Sequence, residues 1–535
     1  MRTRDEVSTE KLRGSFATPP RLVRRCLDRV IELTDGRDAL HALEPSAGDG
    51  AFVRALATHP LRARIARMTA CEPDREDARR SGDALVAAGL DGEVRRASAL
   101  ALPEAGYDVA FGNPPFVRFQ FVSATDRRDA ELLAERVGLR LNGVSNLWVA
   151  VLLAALSALR DGGAFAFVVP SECFTGVSAG ALRRWLAGGA DELTVELFGP
   201  GSFPGVVQEV VVLSGRRTVD RARPPRLHLD DHSGVTARRW THTIDGRDSP
   251  WTRWLLSPVE LDALGRATAS PTVERLGDVA RFEVAAVTGA NDFFSVDAAT
   301  VDRFGLEPWA RPLLPRVRHA PGLVYTATDH AATVASGARA ALLDFAADTI
   351  DPDTHDGARR YLRSGVDAGL PARFKCRIRK PWFRVPSVRA GTLMLSKRTH
   401  RDVRVVLNDA GVVTTDTIYR GSMLTPRLLA AGLVASFHNS LTLLSCELEG
   451  RSFGGGVLEL VPSEIGRVVI LAAPGAEARL TELDVTARRD GLEAVVDATD
   501  GFLVSGCGLD REVVARLRDA HASLRTRRMA RSRRC

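Results

Sequence analysis

The four residues Asn113-Pro114-Pro115-Phe116 follow an apolar run, Tyr107–Phe111, that predicts a β-strand. Two consecutive prolines cannot continue a strand ladder, so the chain must turn out of the sheet and present the Asn113 side chain together with the Pro114 carbonyl. Two acceptors aimed at one point bind both hydrogens of a nucleobase exocyclic amine and raise the nucleophilicity of its lone pair. Phe116 would stack on that base. Taken alone, the tetrapeptide could also be a simple turn, so its surroundings decide.

The segment Glu44–Gly50 is a second candidate, because it follows a predicted strand and precedes a helix that begins at Phe52. Gly48 and Gly50 lack a Cβ, so the backbone there can approach a ligand at the carboxyl end of the strand. The third glycine of the dinucleotide-binding fingerprint is missing, which favours a ligand without phosphates. A tight structural turn is the alternative.

Glu72 ends the next predicted strand, within Ala-Cys-Glu-Pro-Asp. A carboxylate at that position can accept hydrogen bonds from two ribose hydroxyls, as in nucleotide-binding sheets of this kind. The alternative is a solvated carboxylate at the end of a strand. Because Glu44, Glu72 and Asn113 all follow predicted strands of one domain, the sequence predicts a nucleoside-like cofactor beside a site for a nucleobase.

Short apolar runs alternate with amphipathic stretches between residues 40 and 217, which predicts βα units on a parallel sheet. Strands are predicted at Leu40–Leu43, Arg67–Cys71, Val94–Ala97, Val109–Phe111, Ala164–Val169, Thr194–Leu197 and Val210–Leu213. Helices are predicted at Phe52–Ala57, Arg75–Ala88, Leu147–Arg160 and Ala181–Leu186. This is an α/β, doubly wound seven-stranded sheet that ends in an antiparallel hairpin. Residues 224–258 show little periodicity and indicate a boundary before a mixed α/β second domain.

The composition is that of an ordinary soluble protein, with 535 residues of which 45% are hydrophobic and 26% charged. The longest apolar stretch, residues 147–159, is too short to span a bilayer, and no apolar segment follows the charged N-terminus. A cytoplasmic protein without a membrane partner is expected. The seven cysteines form no CxxC pair and have no histidine at ligand spacing, so no metal site is predicted.

Positive charge is unevenly distributed, although the net charge is only 73 − 66 = +7. The segment Arg373–Arg384, here called the basic run, contains six cations and no acid. Residues 516–534 carry eight arginines against Asp519 alone. Such blocks indicate a polyanionic partner, although a basic tail can also be a solvated end.

With these motifs in this order, the chain resembles the N6-adenine DNA methyltransferases of the gamma, TaqI-like type. Phe16–Val23 is similar to the family motif that contacts the methionine end of S-adenosylmethionine, and its position ahead of the glycine loop marks the gamma order. The resemblance implies that the catalytic residues are Asn113, Pro114, Pro115 and Phe116. It implies cofactor contacts from Thr18, Glu44, Ser46, Gly48, Gly50, Glu72 and Ser98.

Two further aromatic and polar positions come from the same resemblance. Phe198–Val212 is similar to the segment whose aromatic residue covers the other face of a flipped base. Phe203 is the implied residue and Phe198 the alternative. The family usually has an acid after the third strand for the cofactor's adenine amine, whereas this sequence has Ser98, so that Ser98 or a backbone carbonyl would take its place.

The second half of the chain resembles the recognition half of XamI-type modification enzymes. The similar segments are Val287–Phe294, Arg373–Arg377 with Lys380–Phe383, and Glu449–Gly456. DNA contacts are expected from Arg373, Lys375, Arg377, Arg379, Arg384 and Arg451. Trp382 and Phe383 could stack on bases or belong to a domain core.

The resemblance therefore implies a two-domain enzyme that binds S-adenosyl-L-methionine and methylates a flipped adenine in double-stranded DNA. Residues 1–225 would be catalytic, residues 226–264 a linker, and residues 265–535 a target-recognition domain with a basic C-terminal tail. A monomer is expected, paired in function with a restriction endonuclease. The alternatives are a methyltransferase acting on RNA or a protein glutamine amide, and a non-catalytic DNA-binding subunit of a defence complex.

Overall fold

A computed structural model describes residues 18–102, 106–141, 146–175, 179–199, 210–219, 224–233, 237–244, 251–346, 350–473 and 475–529. The chain divides into two compact units, an N-terminal unit that runs to Pro258 and a C-terminal unit, Val259–Met529. Each unit has its own sheets and its own buried apolar core. None of the described helices combines the length and apolarity that a bilayer crossing requires.

In the described part of the N-terminal unit, nine strands form one sheet in the order β3-β2-β1-β4-β5-β7-β6-β8-β9. They are β1 (Leu40–Glu44), β2 (Ile65–Cys71), β3 (Gly92–Arg95), β4 (Tyr107–Gly112), β5 (Leu159–Pro170), β6 (Ala190–Phe198), β7 (Val210–Arg217), β8 (Arg226–His232) and β9 (Arg238–Thr243). The pairings from β3 to β5 are parallel, and β7 lies antiparallel between β5 and β6. The predicted doubly wound α/β sheet with an antiparallel hairpin is confirmed.

Helices cover this sheet and begin where local sequence favours a helix start. They are α1 (Pro20–Leu33), α2 (Ala51–Leu56), α3 (Arg75–Ala87), α4 (Ala124–Arg136), α5 (Leu147–Ala158), α6 (Glu172–Thr175) and α7 (Gly180–Gly189), with 3-10 turns at Pro60–Arg64, Ala99–Ala101, Phe119–Phe121 and Trp251–Leu255. Asp74 caps α3 by accepting hydrogen bonds from the backbone of Glu76 and Asp77. The apolar helix α5 is almost entirely buried, which explains its lack of a polar face.

The sheet has two more strands than the seven expected, and both lie in the segment interpreted as a linker, residues 226–264. β8 pairs in parallel with β6, and β9 pairs antiparallel with β8. Leu227 and Leu229 of β8 are fully buried, while the polar positions of the two strands face each other as ion pairs, among them Arg239–Asp230 at 2.7 Å. The segment whose weak periodicity indicated a boundary therefore contains charges that are cross-strand partners in a sheet.

The described part of the C-terminal unit contains four small sheets, ordered β11-β19-β16-β18-β14, β12-β15-β13, β10-β22 and β17-β21-β20. Their strands are β10 (Val273–Arg275), β11 (Ala280–Glu283), β12 (Ser295–Val296), β13 (Ala310–Pro312), β14 (Val324–Tyr325), β15 (Ala341–Leu343), β16 (Leu393–Ser396), β17 (Arg398–Thr399), β18 (Val405–Asn408), β19 (Ile418–Met423), β20 (Arg451–Phe453), β21 (Val457–Glu459) and β22 (Val469–Leu471). The unit is thus mixed α/β, as expected.

The helices of this unit are short in its first half and longer toward its end. They are α8 (Pro258–Thr268), α9 (Leu276–Val279), α10 (Asn291–Phe294), α11 (Ala298–Phe304), α12 (Ala327–Ala335), α13 (Asp356–Asp367), α14 (Phe374–Arg377), α15 (Ala430–Phe437), α16 (Ser440–Glu449), α17 (Pro462–Ile465), α18 (Leu480–Asp490), α19 (Leu492–Cys507) and α20 (Arg511–Met529). Further 3-10 turns lie at Glu307–Trp309, Val317–His319, Pro352–Thr354, Leu370–Ala372, Gly454–Gly456 and Ala476–Arg479.

The arginine-rich C-terminal segment differs from a solvated tail over the residues that the structure describes. Its residues up to Met529 belong to helix α20, and three of its arginines bind buried carboxylates of the same unit. Arg518 binds Asp500 at 2.8 Å, Arg525 binds Asp402 at 2.8 Å, and Arg528 binds Glu447 at 2.6 Å. These arginines hold the unit together; residues 530–534, with the last three arginines, lie outside the described residues.

Candidate functional site

The candidate residues of the N-terminal unit come together at one edge of its sheet. Strands β1, β2, β3 and β4 are parallel, and their pairings align Glu44 with Ala70 and Cys71 with Arg95. The segments that follow these strands therefore leave the sheet at the same edge. Backbone hydrogen bonds join these segments: Ala47 N donates to Cys71 O at 3.0 Å, and Glu72 N donates to Arg95 O at 3.0 Å.

The loop between β1 and α2 takes its shape from two glycines with left-handed backbone. Gly50, with φ of 87°, precedes α2, and a Cβ there would lie 3.1 Å from Ser81 Cα, so glycine allows α3 to pack against the loop. Gly48, with φ of 52°, has open space on its Cβ side. The Ser81 hydroxyl donates to Gly48 O at 2.8 Å and fixes the loop. Sequence analysis missed Ser81, which lies in an otherwise ordinary helix.

Glu44 is a fully buried carboxyl group at the floor of this loop. Neither of its oxygens has a hydrogen-bond partner among the residues that the structure describes. Burial, together with the nearby Asp49 and Glu72 carboxylates, raises the pKa of Glu44 well above its ordinary range. A buried, unpartnered carboxyl group is costly, so the arrangement suits a ligand that brings hydrogen-bond donors and positive charge to this point.

Glu72 links the glycine loop to the segment after β2. One oxygen accepts from Gly48 N at 2.9 Å and the other from Asp74 N at 2.9 Å. Burial raises the pKa of Glu72, and the two backbone hydrogen bonds oppose that shift. Each oxygen keeps a further lone pair, so the side chain can still accept hydrogen bonds from a ligand's hydroxyl groups.

One hydrogen bond orients the Asn113 side chain, and a second fixes its backbone. Its Nδ2 donates to Thr18 Oγ1 at 3.1 Å, and the Ser46 hydroxyl donates to Asn113 O at 3.1 Å. Its Oδ1 is buried and has no partner among the described residues. Thr18, expected to contact a cofactor, therefore also orients the Asn113 amide, a contact that sequence reasoning missed because 95 residues separate the two.

The neighbouring positions of the motif differ in burial. Pro114 is buried, Pro115 is half-buried, and the half-buried Phe116 ring packs against the apolar core of the N-terminal unit. Ser98 is half-buried and caps the following 3-10 turn, because its hydroxyl accepts from Leu100 N at 3.4 Å. Its hydroxyl hydrogen and second lone pair remain for a ligand.

Of the two aromatic candidates for the other face of a base, the structure describes only Phe198. Phe198 is the last residue of β6, is 6% exposed, and stacks on the His232 ring with centroids 5.9 Å apart. Phe198 is thus part of the apolar core, at the carboxyl end of β6. Phe203 lies outside the described residues.

In the C-terminal unit, the cations proposed for DNA contact fall into two groups. Arg373, Lys375 and Arg377 are exposed and form no ion pair with the described residues, nor does Lys380. Arg379 instead donates to the carbonyl oxygens of Val287 and Thr288, at 2.5 Å and 2.7 Å.

The two remaining cations have partners within the protein. Arg451 binds the buried Glu464 carboxylate at 2.5 Å, and Arg384 takes part in further contacts. Trp382 and Phe383 belong to the apolar cluster around Phe294 and Trp309. Arg379 and Arg451 therefore bind acceptors of the unit itself, and DNA contact by these two arginines stays a prediction.

Two family models match the chain, one in each half. Residues 88–192, which include Asn113, match the model described as Eco57I restriction-modification methylase. Residues 248–504, which include the basic run, match the model described as the C-terminal domain of the Type II methyltransferase M.Eco57I.

Curated relatives share about a quarter of their residues with this chain over the matched region. The Type II methyltransferase M.HincII of Haemophilus influenzae is 24% identical over 201 residues, which are 37% of this chain and 36% of that protein. The Type II methyltransferase M.TthHB8I of Thermus thermophilus is 29% identical over 212 residues, 38% of this chain and 45% of that protein. The chain therefore spans less than half the length of these relatives.

Solved structures share the fold over most of the chain. The Type IIL restriction-modification enzyme MmeI, solved in complex with DNA, has a TM-score of 0.54 at 13% identity and covers 94% of this chain and 75% of its own. The DrdV–DNA complex has a TM-score of 0.51 at 11% identity and covers 89% of this chain and 57% of its own. At such identities the likeness shows a common fold.

Proposed function

Because the chain belongs to the Eco57I-type restriction-modification methyltransferase family, we propose that it is a site-specific DNA methyltransferase that acts on N6 of adenine. The observation that carries this proposal is the orientation of Asn113. Its Nδ2 is held by Thr18 while its buried Oδ1 has no partner among the described residues. That oxygen can accept one hydrogen of an exocyclic amine, and the adjoining Pro114 carbonyl is the proposed acceptor of the other.

The residues around the glycine loop fit S-adenosylmethionine, which supplies an electrophilic methyl group when it is bound. The unpartnered Glu44 carboxyl suits the ammonium group of the methionine end, because a cationic donor offsets the cost of burying that carboxylate. The open side of Gly48 leaves room for the cofactor's body. Glu72 is the proposed acceptor for the ribose hydroxyls, and Ser98 the proposed partner for the adenine ring.

The proposed reaction is the transfer of one methyl group to the target amine. The two acceptors draw the hydrogens of the target amine toward them, which localises the lone pair on nitrogen for in-line attack on the methyl group. The new bond is N–C, the bond that breaks is S–C, and the amine sheds one proton after transfer. The adenine must leave the duplex to reach Asn113, which costs a few kcal/mol of unstacking. Phe116 and Phe203 are proposed to offset that cost by stacking on the two faces of the base.

We assign recognition of DNA to the C-terminal unit. The basic run contributes four exposed cations without ion partners among the described residues: Arg373, Lys375, Arg377 and Lys380. They support that assignment, since phosphate contacts supply much of the affinity for duplex DNA. The proposed biological role is to protect host DNA from a partner restriction endonuclease. Methylation of RNA or of a protein glutamine amide is the rival, and an acid-free basic segment favours the nucleic acid over the protein.

The test is to express the full chain in a host that lacks adenine methylation and to sequence the genomic DNA for modified bases. N6-methyladenine within one recurring sequence is the expected result, and a host expressing Asn113→Ala should show none. Recurrent N4-methylcytosine would contradict the adenine assignment. Unmodified DNA together with newly methylated RNA or protein, measured by mass spectrometry in the same cells, would transfer the assignment to the rival.

A further inference from the structure

Two large apolar side chains of the basic run lie open to solvent. Phe374 is 62% exposed and Ile378 is 63% exposed, although most large apolar residues of this unit are buried. Phe374 begins helix α14, and Ile378 continues its helical backbone one residue beyond the end. Residues four apart lie on the same face of a helix, so the two side chains project side by side.

The backbone that carries this pair is firmly anchored. Cys376, between them, is fully buried, and Arg379 donates to two carbonyl oxygens of the preceding segment, Val287 and Thr288. Gly289 packs so closely that a Cβ there would lie 2.7 Å from Lys375 Cβ. The two apolar side chains therefore project from a well-packed backbone. Their exposure is not explained by a loosely packed segment.

Positive charge surrounds the pair. Arg373, Lys375, Arg377 and Lys380 are exposed and have no ion partner among the described residues, and the Lys375 ammonium lies 5.5 Å from the Phe374 ring centroid. Apolar side chains flanked by free cations are the arrangement with which proteins insert between stacked base pairs while they bind the adjacent phosphates. An acidic protein partner would use the charges, but it would not need two apolar groups on the same rigid face.

We propose that Phe374 and Ile378 form a wedge that inserts between base pairs of duplex DNA and bends it, while the neighbouring cations bind the backbone phosphates. This inference rests on the proposed function, since it assumes that duplex DNA is the substrate. The basic run would then do more than bind phosphates, because insertion of the wedge depends on how easily a base step unstacks. Flexible pyrimidine–purine steps should accept it most readily.

The experiment compares three double variants of the full chain on a short duplex that contains the methylated sequence found by genomic sequencing. Phe374→Ala/Ile378→Ala removes the wedge and keeps every charge. Lys375→Gln/Arg377→Gln removes charge and keeps the wedge. Leu429→Ala/Val485→Ala is the matched control, because these apolar residues are also exposed in this unit, at 56% and 53%, but lie outside the basic run. Affinity is measured over a range of salt, and bending by energy transfer between dyes at the two duplex ends.

The wedge variant should bind about tenfold or more weakly, the scale for losing one stacked base, and should bend the duplex less, with an unchanged salt slope. The charge variant should lower the log–log salt slope by about 0.9 for each lost phosphate contact. The control should match the wild type in both. Phe374→Leu should retain the bend, because a leucine can still be inserted. All variants change exposed side chains, so their melting temperatures should equal that of the wild type.

Several results would overturn the wedge. One is a wild type that methylates DNA but leaves it straight; another is a wedge variant that binds and bends as the wild type does. Light scattering that shows a wild-type dimer, converted to a monomer in the wedge variant without loss of DNA binding, would assign the pair to contact between copies. Failure of the proposed function differs from all of these, because the wild type itself would then leave no methylated adenine.

Discussion

Glu44 of the N-terminal unit and the buried carboxyl groups of the C-terminal unit have opposite surroundings. In the C-terminal unit Glu447 is bound by Arg528, and Asp500 is bound by Arg518. No carboxylate oxygen in the described residues of that unit is buried without a partner. In the N-terminal unit Glu44 buries both oxygens without one. Since burying a carboxyl group without partners is costly, the paired groups serve the fold, whereas Glu44 is the group for which we propose a ligand.

Two asparagine side chains show the same contrast. Asn439 of the C-terminal unit donates to Ser436 O at 2.6 Å and accepts from Thr442 N at 2.9 Å, so both ends of its amide are occupied. Asn113 has a partner at Nδ2 and none at Oδ1 among the described residues. The difference teaches that hydrogen-bond satisfaction distinguishes the structural Asn439 from the proposed catalytic Asn113, which residue type alone does not do.

The largest expected effect is on stability in the C-terminal unit. Arg528→Ala leaves the buried Glu447 carboxylate without its cation and frees the carbonyl oxygens of His400 and Arg401. The free energy of unfolding should fall by about 3–5 kcal/mol. Chemical denaturation measures it, with Arg516→Ala as the control, because Arg516 forms only an exposed pair with Glu512 on the same helix. Equal losses in both variants would remove the distinction between the two kinds of pair.

In contrast to Arg528→Ala, the Asn113→Ala variant should lose activity and little stability. The rate of methyl transfer should fall by a hundredfold or more, about 3 kcal/mol, the scale for losing one preorganised hydrogen-bond partner at a reacting centre. Binding of S-adenosylmethionine, followed by calorimetry, should persist. Asn439→Ala is the matched variant and should lower the melting temperature instead. Near-normal turnover in Asn113→Ala would show that its free oxygen is not a catalytic acceptor.

Glu44→Gln tests whether the unpaired carboxyl is held at a cost to the fold. Because burial and nearby carboxylates raise the pKa of Glu44 above its ordinary 4.5, the folded chain keeps a proton that the unfolded chain has released. Stability due to this residue therefore falls as pH rises above 4.5. Without cofactor, Glu44→Gln should gain stability over the wild type as pH rises, with no difference below 4.5.

The same variant should lose affinity for S-adenosylmethionine by about tenfold, the scale for a hydrogen bond to a charged group. Glu447→Gln is the matched change at a paired carboxylate, and it should lose stability without changing cofactor affinity. A Glu44→Gln variant that matches the wild type in both stability and affinity would show that Glu44 has no ligand.

Thr18→Val has the smallest expected effect and tests a positioning role. The valine cannot accept the Asn113 Nδ2–H bond, so the side-chain amide loses the hydrogen bond that orients it. The turnover rate should fall by about fivefold to tenfold, near 1 kcal/mol, with less change in KM for DNA. Thr18→Ser should restore the rate, because it keeps the hydroxyl. A Val variant with normal turnover would show that the Thr18 contact is not needed to orient the Asn113 amide.

The first seven strands of the N-terminal sheet could be predicted because their apolar runs are short, continuous and followed by helices or turns. Strands β8 and β9 could not, since adjacent pairs of charged residues, Asp230-Asp231 and Arg238-Arg239, interrupt their apolar patterns. Their charges match only after the two strands pair. A sequence shows each charge but not its cross-strand partner.

The residue types of the candidate site could be predicted in the same way, but not their connections. Asn113 and Glu44 stand at strand ends, where polar side chains indicate function. Ser81 and Thr18 contribute through contacts 33 and 95 residues distant in sequence, which only the folded chain creates. Arg379 could not be distinguished in the sequence from its neighbours in the basic run. The sequence does not show the two backbone carbonyl oxygens to which it donates.

Strand β9 is the last strand of the large sheet among the described residues, and it carries Arg238 and Arg239. The outer edge of any sheet offers unpaired backbone groups on which a second chain can add a strand. Two copies that approach through this edge would bring like charges together, which disfavours that addition. The two arginines at this edge are therefore expected to oppose edge-to-edge aggregation of the chain at high concentration.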